Sequence, residues 1–451
     1  MRFIENFLAV AVDLAWGWPL VILLVGGGAY LTWLSRLLPF FGARHAYDIV
    51  RGKFDDPGDP GEINHFQALT TALSSTIGMG NIAGVAIAIT QGGPGSVFWM
   101  WVAAIVGMAT KFFTCTLASL YRKEDASGTV QGGPMYYIEV GLGARYRFMA
   151  VFFSACGLVG CLALFQVNQL AEVLTTAHGV PSWVTGAASS LLVAVVLLGG
   201  IRRIGQVTSK LVPFMCVTYV LACLYVVGCH IGEVPSIFAR ILHDAFSGTA
   251  AAGGAAGITV SHVITTGVKR AAFSNEAGIG TAPMAHGAAK TKEPVREGLV
   301  AMVGPFIDTV VVCTMTALVI LSSGLWQSGE VEGVALTYRA FSAAMGPTGR
   351  VIVTMSVFLF AVSTMVGYAY YGRKCYAYLF GAESARGYDA VYVATMALGA
   401  VWTADSVVNL LDTSFALMAL PNMIATLILA PRVMKETRAY FKRFGVANRS
   451  A

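Results

Sequence analysis

Apolar stretches of about 20 residues recur along the whole chain, and they constrain its fold more than any other feature. A helix that crosses a hydrocarbon core of about 30 Å needs roughly that many apolar residues. Leu14–Leu38 carries no charge before Arg36, and comparable runs lie at 184–201, 211–231, 301–322, 351–371 and 406–430. Only 12% of the residues are charged, against 56% apolar, whereas soluble domains carry about 25% charged. A chain so poor in charge has too few polar side chains to cover a water-facing surface, so its natural solvent is lipid. The first run is too long for a secretory signal, lacks a small-x-small cleavage site and is followed by basic residues that stop transfer. It reads as a retained helix.

The pattern predicts an all-α polytopic membrane protein, a single transmembrane domain over 1–451 with about eleven spans. They are 14–38, 63–91, 96–120, 148–174, 182–201, 211–231, 250–272, 299–323, 348–379, 388–404 and 406–430, followed by a tail over 431–451. Charge sets the expected orientation, because positive residues stay cytoplasmic. Of the 30 lysines and arginines, Arg2, Arg240, Arg339 and Arg350 fall on one side and Lys111 within a span. The rest share the other side, with Lys269 and Arg270 assigned to the loop after span 7 and Arg373 and Lys374 to the loop after span 9. The N-terminus is expected outside and the C-terminus in the cytoplasm. Topology accounts for the net charge of +6, and no nucleic-acid partner is needed.

The segment Ser74-Ser75-Thr76-Ile77-Gly78-Met79-Gly80-Asn81 sits in the middle of span 2. Glycines weaken a helix there, where no water replaces the lost hydrogen bonds. Freed backbone at membrane depth exposes donors for a carboxylate and carbonyls for a cation. The other role for such glycines is close helix packing. A second cluster, Gly253-Gly254-Ala255-Ala256-Gly257, lies in span 7. Spans 2 and 7 are five apart, so spans 2–6 (63–231) and 7–11 (250–430) form the halves of an expected inverted repeat, preceded by one extra helix. Paired interruptions in such halves point to a binding site at the midplane.

Other residues have both a packing and a functional reading. Gln91–Gly95 reads as a tight turn, and Gln131–Pro134 leads into a segment expected along the membrane surface. Gln166 and Asn168 in span 4 either join helices or read a polar solute. Ser363 and Thr364 in span 9 either bond back to their own helix or offer oxygens to a hard cation. Asp308 in span 8 is costly in lipid and so a functional suspect, while Lys111 is expected to snorkel or pair. Asn275 and Glu276 follow span 7 on the cytoplasmic side, among small residues that suggest a re-entrant or gating loop. The eight cysteines form no CxxC pair, the seven histidines no HxxxH or HExxH spacing, and no Walker-type phosphate loop occurs. Metal catalysis, a cofactor and ATP drive therefore find no support.

At these residues the chain resembles the bacterial and archaeal sodium:alanine (or glycine) symporters. The matching strings are IGMGNIAGVAIAI (77–89), GGPGSVFWMWVAAIVGMATKF (92–112), GGPMYYIE (132–139), FSNEAGIGTAPMAHGAAKT (273–291), FIDTVVVCTMTALVI (306–320), YYGRKCYAYLFG (370–381) and MALPNMIATLIL (418–429). The resemblance implies a leucine-transporter-like fold and inward symport of a small neutral amino acid with sodium across the cell membrane. It implies a substrate site made of Thr76, Gly78, Met79, Gly80 and Asn81, with Phe165 and Gln166 from span 4. Gly253, Gly254 and Gly257 close the other side, and Thr364 and Tyr368 line the pocket from span 9. Analogy within the fold implies a sodium site at Ser74, Ile77, Phe360, Ser363 and Thr364.

The chain departs from the family where Met79 replaces a usual Thr, Leu162 and Ala163 a usual Gly and Asn, and Tyr368 a usual Trp. Thr114 and Arg373 each replace a Glu. The first four changes bear on the substrate more than on the fold. The competing readings are a carrier of another small amino acid or solute, proton coupling, and a non-transporting amino-acid sensor on the same fold. An enzyme is not expected, because no nucleophile–base or metal constellation lies inside the spans.

Overall fold

The computed structural model describes residues 2–124, 130–247, 259–329 and 331–444. Among the described residues, six helices are long and apolar enough to cross a membrane singly: Gly95–Leu120, Ala144–His178, Gly200–Cys229, Pro294–Ser323, Gly333–Phe380 and Ala404–Phe444. Two bent pairs raise the number to as many as eight: Phe7–Ala15 with Trp18–Leu34, bent by 44°, and His65–Thr76 with Gly80–Gly92, bent by 50°. Ser182–Leu197, Val260–Asn275 and Ala385–Gly399 are helices of 15 or 16 residues, below the roughly 20 needed for a straight crossing. Of the eleven expected spans, length and apolarity single out at most eight among the described residues, and residues 250–258 of expected span 7 lie outside them. The exterior carries the large apolar side chains a lipid-facing wall requires, among them Phe148, Trp183, Leu191 and Leu198. The chain is a multi-pass membrane protein.

The long helices pack around the 65–76 and 80–92 half-helices, whose described side chains are almost all buried. The first half-helix starts at a capping box, in which the Asn64 side chain accepts from the Gln67 N–H and the Gln67 side chain accepts from the Asn64 N–H. Helix Gly333–Phe380 is kinked at Gly346, whose φ of 58° and ψ of −137° leave the helical region just before Pro347. Elsewhere small residues let helices approach. A Cβ on Gly367 would lie 2.1 Å from the Ser75 hydroxyl oxygen.

Several boundaries differ from those expected. A helix over Arg2–Ala15 leads into the first span, and just after it the Trp16 indole N–H donates to the Asp412 carbonyl at 2.9 Å. Span 4 is two helices, Arg147–Gly160 and Leu164–His178. Helix Val234–Ser247, too short and too amphipathic to read as a span, packs against the start of helix Gly95–Leu120. Residues 431–444 of the expected tail are helical, as a continuation of helix Ala404–Phe444. The segment after Gln131–Pro134 does not lie along a surface, since Pro134, Met135, Tyr137 and Ile138 are buried in the protein.

Lys269, Arg270, Arg373 and Lys374, expected in loops, all lie within helices, and Lys111 also departs from expectation. Lys269 and Arg270 lie within helix Val260–Asn275, where Arg270 is buried and pairs with Asp412. Lys374 is buried in helix Gly333–Phe380, and its ammonium donates to the Val130 carbonyl at 2.9 Å and to the Gln131 side chain at 2.7 Å. Lys111 does not snorkel, because its whole side chain is buried beneath the packed helices.

Gly95 tests how close this packing is. A Cβ there would lie 2.3–2.4 Å from backbone atoms of Asp244 and Ala245, atoms that no rotamer change can move. Gly95→Ala is expected to cost about 1–3 kcal/mol by overpacking. Thermal unfolding of the purified protein measures this as a lowered midpoint, and an unchanged midpoint would contradict the close approach.

Candidate functional site

Span 2 leaves the helix where its glycines predict. The 65–76 half-helix ends at Ile77, whose ψ of 92° is extended, and the chain resumes at Gly80. Gly78 faces span 9, and a Cβ there would lie 2.0 Å from the Thr364 hydroxyl oxygen. Only glycine fits that approach. Ser74, Gly78, Thr364 and Gly367 therefore share one seam between spans 2 and 9, since the Ser74 oxygen is also 2.9 Å from the Cβ position of Gly367.

The freed backbone finds its partner in a side chain. The Gly78 N–H donates to the Asn81 amide oxygen at 2.8 Å, and the Asn81 amide nitrogen donates to the Asp308 carboxylate at 2.7 Å and to the Asp308 carbonyl at 3.1 Å. The other carboxylate oxygen accepts from Ser274 at 2.8 Å and Thr309 at 2.7 Å, and Asn275 donates to the Thr309 hydroxyl at 3.0 Å. Asp308 sits in a π-helical stretch, Phe306–Cys313, a distortion frequent at functional sites. It is fully buried and ties the break in span 2 to the end of helix Val260–Asn275.

A second interruption follows directly. Between helices Val260–Asn275 and Ala282–His286, Glu276 has a φ of 57°, Gly278 of 89° and Gly280 of 102°. Gly253, Gly254 and Gly257 lie outside the described residues, so the break described near span 7 is this one. Glu276 is not in a surface loop. It is 1% exposed, and one of its oxygens accepts from the Thr281 hydroxyl at 2.5 Å. The Asn422 amide donates to the Gly278 carbonyl at 2.6 Å and supports the unwound strand.

The remaining candidates divide. Asn168 joins helices by donating to the Gly399 and Trp402 carbonyls, whereas the buried side-chain oxygen of its neighbour Gln166 has no partner among the described residues. The Ser363 hydroxyl is likewise buried without a partner. Thr364 donates back to the Phe360 carbonyl at 3.0 Å, Ser74 to Thr71 at 2.8 Å and Thr76 to Ala72 at 3.2 Å. Phe360 packs its ring on Tyr219, with centroids 5.1 Å apart, and Met79 is buried in the core. Phe165 and Tyr368 are linked through two rings that sequence reading passed over. Phe165 stacks on Phe273 at 5.1 Å, Phe273 on Phe415 at 5.4 Å, and Phe415 on Tyr368 at 6.3 Å. Phe273, Ser274 and Thr309 stand in matching strings, which was a signal; Phe415 had none. The buried bridge of Glu297 to His65 and His286 was also passed over, because its members are far apart in sequence.

Comparisons with known proteins agree with this geometry. The profile of the sodium:alanine symporter family matches residues 1–449. The chain is 42% identical over 433 residues to a sodium/alanine symporter, AgcS, of Methanococcus maripaludis, covering 94% of each chain. It is 41% identical over 447 residues to an uncharacterized transporter of Haemophilus influenzae, covering 98% of this chain and 97% of the other. The fold is similar to that of the leucine-transporter-like protein MhsT, solved with L-phenylalanine, with a TM-score of 0.55 and 13% identity over 84% of this chain and all of that one.

Asn81 is the joint of the hydrogen-bonded network. Asn81→Ala leaves the Gly78 N–H and one Asp308 oxygen without a partner. Each unsatisfied buried group costs about 1–3 kcal/mol, so a clear drop in the unfolding midpoint is expected. A midpoint equal to that of the wild type would show that the network does not hold the break.

Proposed function

We propose that this chain, which belongs to the sodium:alanine symporter family, carries a small neutral amino acid, alanine or glycine, into the cell together with sodium. The carrying observation is the interrupted helix at Gly78, packed against Thr364 and held by Asn81 and Asp308. In this reading the unwound backbone from Thr76 to Asn81 holds the charged ends of the amino acid, because half-helix ends present donors to a carboxylate and carbonyls to an ammonium. Gln166, whose buried oxygen lacks a partner, reads the substrate from span 4. Phe165 and Tyr368 shape the space for a small side chain. Gly253, Gly254 and Gly257 belong to the same proposal as the opposite wall.

Sodium sits in this reading between spans 2 and 9, with carbonyls of Ser74, Ile77 and Phe360 and hydroxyls of Ser363 and Thr364 as ligands. The unpartnered Ser363 hydroxyl and the contact of Gly78 with Thr364 support that position, and a hard cation favours such an all-oxygen shell. Sodium entry drives uptake, with about 2.3 kcal/mol per charge for each 100 mV of potential plus the concentration term. Alternating access follows from eleven spans arranged as an inverted repeat, 63–231 and 250–430, after one extra helix over 14–38, with the N-terminus outside. Asn275, Glu276 and Asp308 lie where the two interrupted helices meet and gate the exchange. Met79, Leu162, Ala163 and Tyr368 make the pocket different from the family pattern, and they set which small amino acid fits.

Thermal stability with and without ligands tests this reading. Alanine or glycine is expected to raise the melting temperature in sodium and not in potassium. Thr364→Ala is expected to shift the sodium titration of that effect to clearly higher concentration. A near-normal sodium titration in a folded Thr364→Ala protein would contradict the ion position.

A further inference from the structure

Three buried side chains from three segments meet at the start of the 65–76 half-helix, at its far end from the break. His65 is 0% exposed, Glu297 0% and His286 1%. The two imidazoles share the Glu297 carboxylate: His65 Nδ1 bonds one oxygen, and His286 Nδ1 lies 2.6 Å from the other. An ionised carboxylate only accepts, so both Nδ1 atoms carry hydrogen and donate. The transport reading above leaves all three residues unused.

With both imidazoles neutral, the cluster holds one negative charge away from water, which is costly unless compensated. The charged and titratable groups facing it are Asp55 from the loop before span 2, Arg296 beside Glu297, and Cys115 and Arg122 from helix Gly95–Leu120 and its end. The Cys115 thiol is neutral. Both guanidiniums are engaged elsewhere: Arg122 donates to the Ala289, Pro60 and Thr291 carbonyls, and Arg296 to the Phe54 carbonyl, with the rings of Phe54 and Phe444 against it. Asp59 pairs with Lys292 and Glu293 with Arg443. One added proton makes the two imidazoles and their carboxylate neutral together. Its place is His65, whose Nε2 is buried with no hydrogen-bond partner among the described residues and has Asp55 Oδ1 3.8 Å away. The imidazolium then stands between two carboxylates.

The same residues close a seam. The Glu62 N–H donates to the Ala288 carbonyl at 2.8 Å, the Lys290 N–H to Ile63 at 2.7 Å and the Thr291 N–H to Pro60 at 3.1 Å. These bonds and the cluster fasten the start of span 2 to the segment that follows the second interruption. Moving the half-helix away about the break at Gly78 must part His65 from Glu297 and give its imidazole to water. Only the closed seam offers the proton two carboxylates, so proton binding and closure favour each other.

We propose that His65, Glu297 and His286 form a proton-binding latch on the cytoplasmic end of span 2, through which acid on that side holds the inner face shut. The proposal takes its direction of opening from the symport reading above. The proton is a regulator here and is not carried with the amino acid.

The test is exchange of labelled for unlabelled alanine across proteoliposomes in saturating sodium, with the same pH on both sides. Lowering the pH from about 8 to about 6, within the range where an imidazole changes charge, is expected to slow exchange several-fold in the wild type and not in Glu297→Gln. A wild-type rate that does not fall, or a fall that Glu297→Gln keeps, would overturn the proposal. Hydrogen–deuterium exchange, corrected for the intrinsic pH dependence of amides, reads the latch without transport. The Glu62, Lys290 and Thr291 amides are expected to open several-fold less often at the lower pH in the wild type, and equally often at both in Glu297→Gln. The same pH response in both proteins would contradict the latch. If Glu297→Gln does not fold, Asp55→Asn, at a partly exposed side chain, replaces it: the midpoints of both profiles are expected to move to lower pH, and unmoved midpoints would overturn the proposal. A wild type that moves no amino acid but shows the amide response removes the symport reading and keeps the latch. A working wild type without that response removes the latch alone.

Discussion

Backbone that leaves the helix inside a bilayer has no water to turn to, and in this protein the Asn81 amide supplies the missing partner. Its oxygen takes the Gly78 N–H and its nitrogen gives to Asp308. That carboxylate in turn receives Ser274 and Thr309. Five residues thus join the interruption in span 2, the π-helical turn of span 8 and the end of helix Val260–Asn275. An acceptor-only carboxylate suits this position, because every group facing it is a donor. The arrangement ties the two interrupted helices to each other. A site of this kind can change shape by moving rigid half-helices rather than by unfolding.

Close approach of helices is the second constraint. In lipid the apolar effect does not drive helices together, so contact depends on small residues and on hydrogen bonds across the seam. Gly78 against Thr364 and Gly367 against Ser75 bring spans 2 and 9 as near as backbone allows. The polar atoms left over near that seam stand out for this reason. Gln166 and Ser363 each keep a buried oxygen without a partner among the described residues, while their neighbours Asn168 and Thr364 are engaged. Adjacent residues of the same chemistry divide into those that hold the fold and those with unused capacity. That division, more than the presence of polar groups in the membrane, marks the site.

Much of the architecture was legible in the sequence because lipid imposes one simple rule on every span. Runs near 20 residues gave the helices, and paired glycines gave the interruption at Gly78. The errors have physical causes. Arg270 and Lys374 were counted as loop residues because charge marks span ends, yet both are compensated inside the protein, Arg270 by Asp412 and Lys374 by Gln131 and a carbonyl. Helix Val234–Ser247 and the continuation of the last helix through residue 444 follow amphipathic periodicity, which a search for uniform apolarity passes over. Asp308 was visible as an expensive residue and Ser274 and Thr309 stood in matching strings, but that these two donate to Asp308 follows only from the three-dimensional packing.

Accumulation of labelled alanine and glycine in proteoliposomes tests the central claim most directly. With an inward sodium gradient the account predicts accumulation above the outside concentration, competed by unlabelled amino acid and lost when potassium replaces sodium. Equal uptake with either cation, or none of either amino acid by folded protein in sodium, would contradict it.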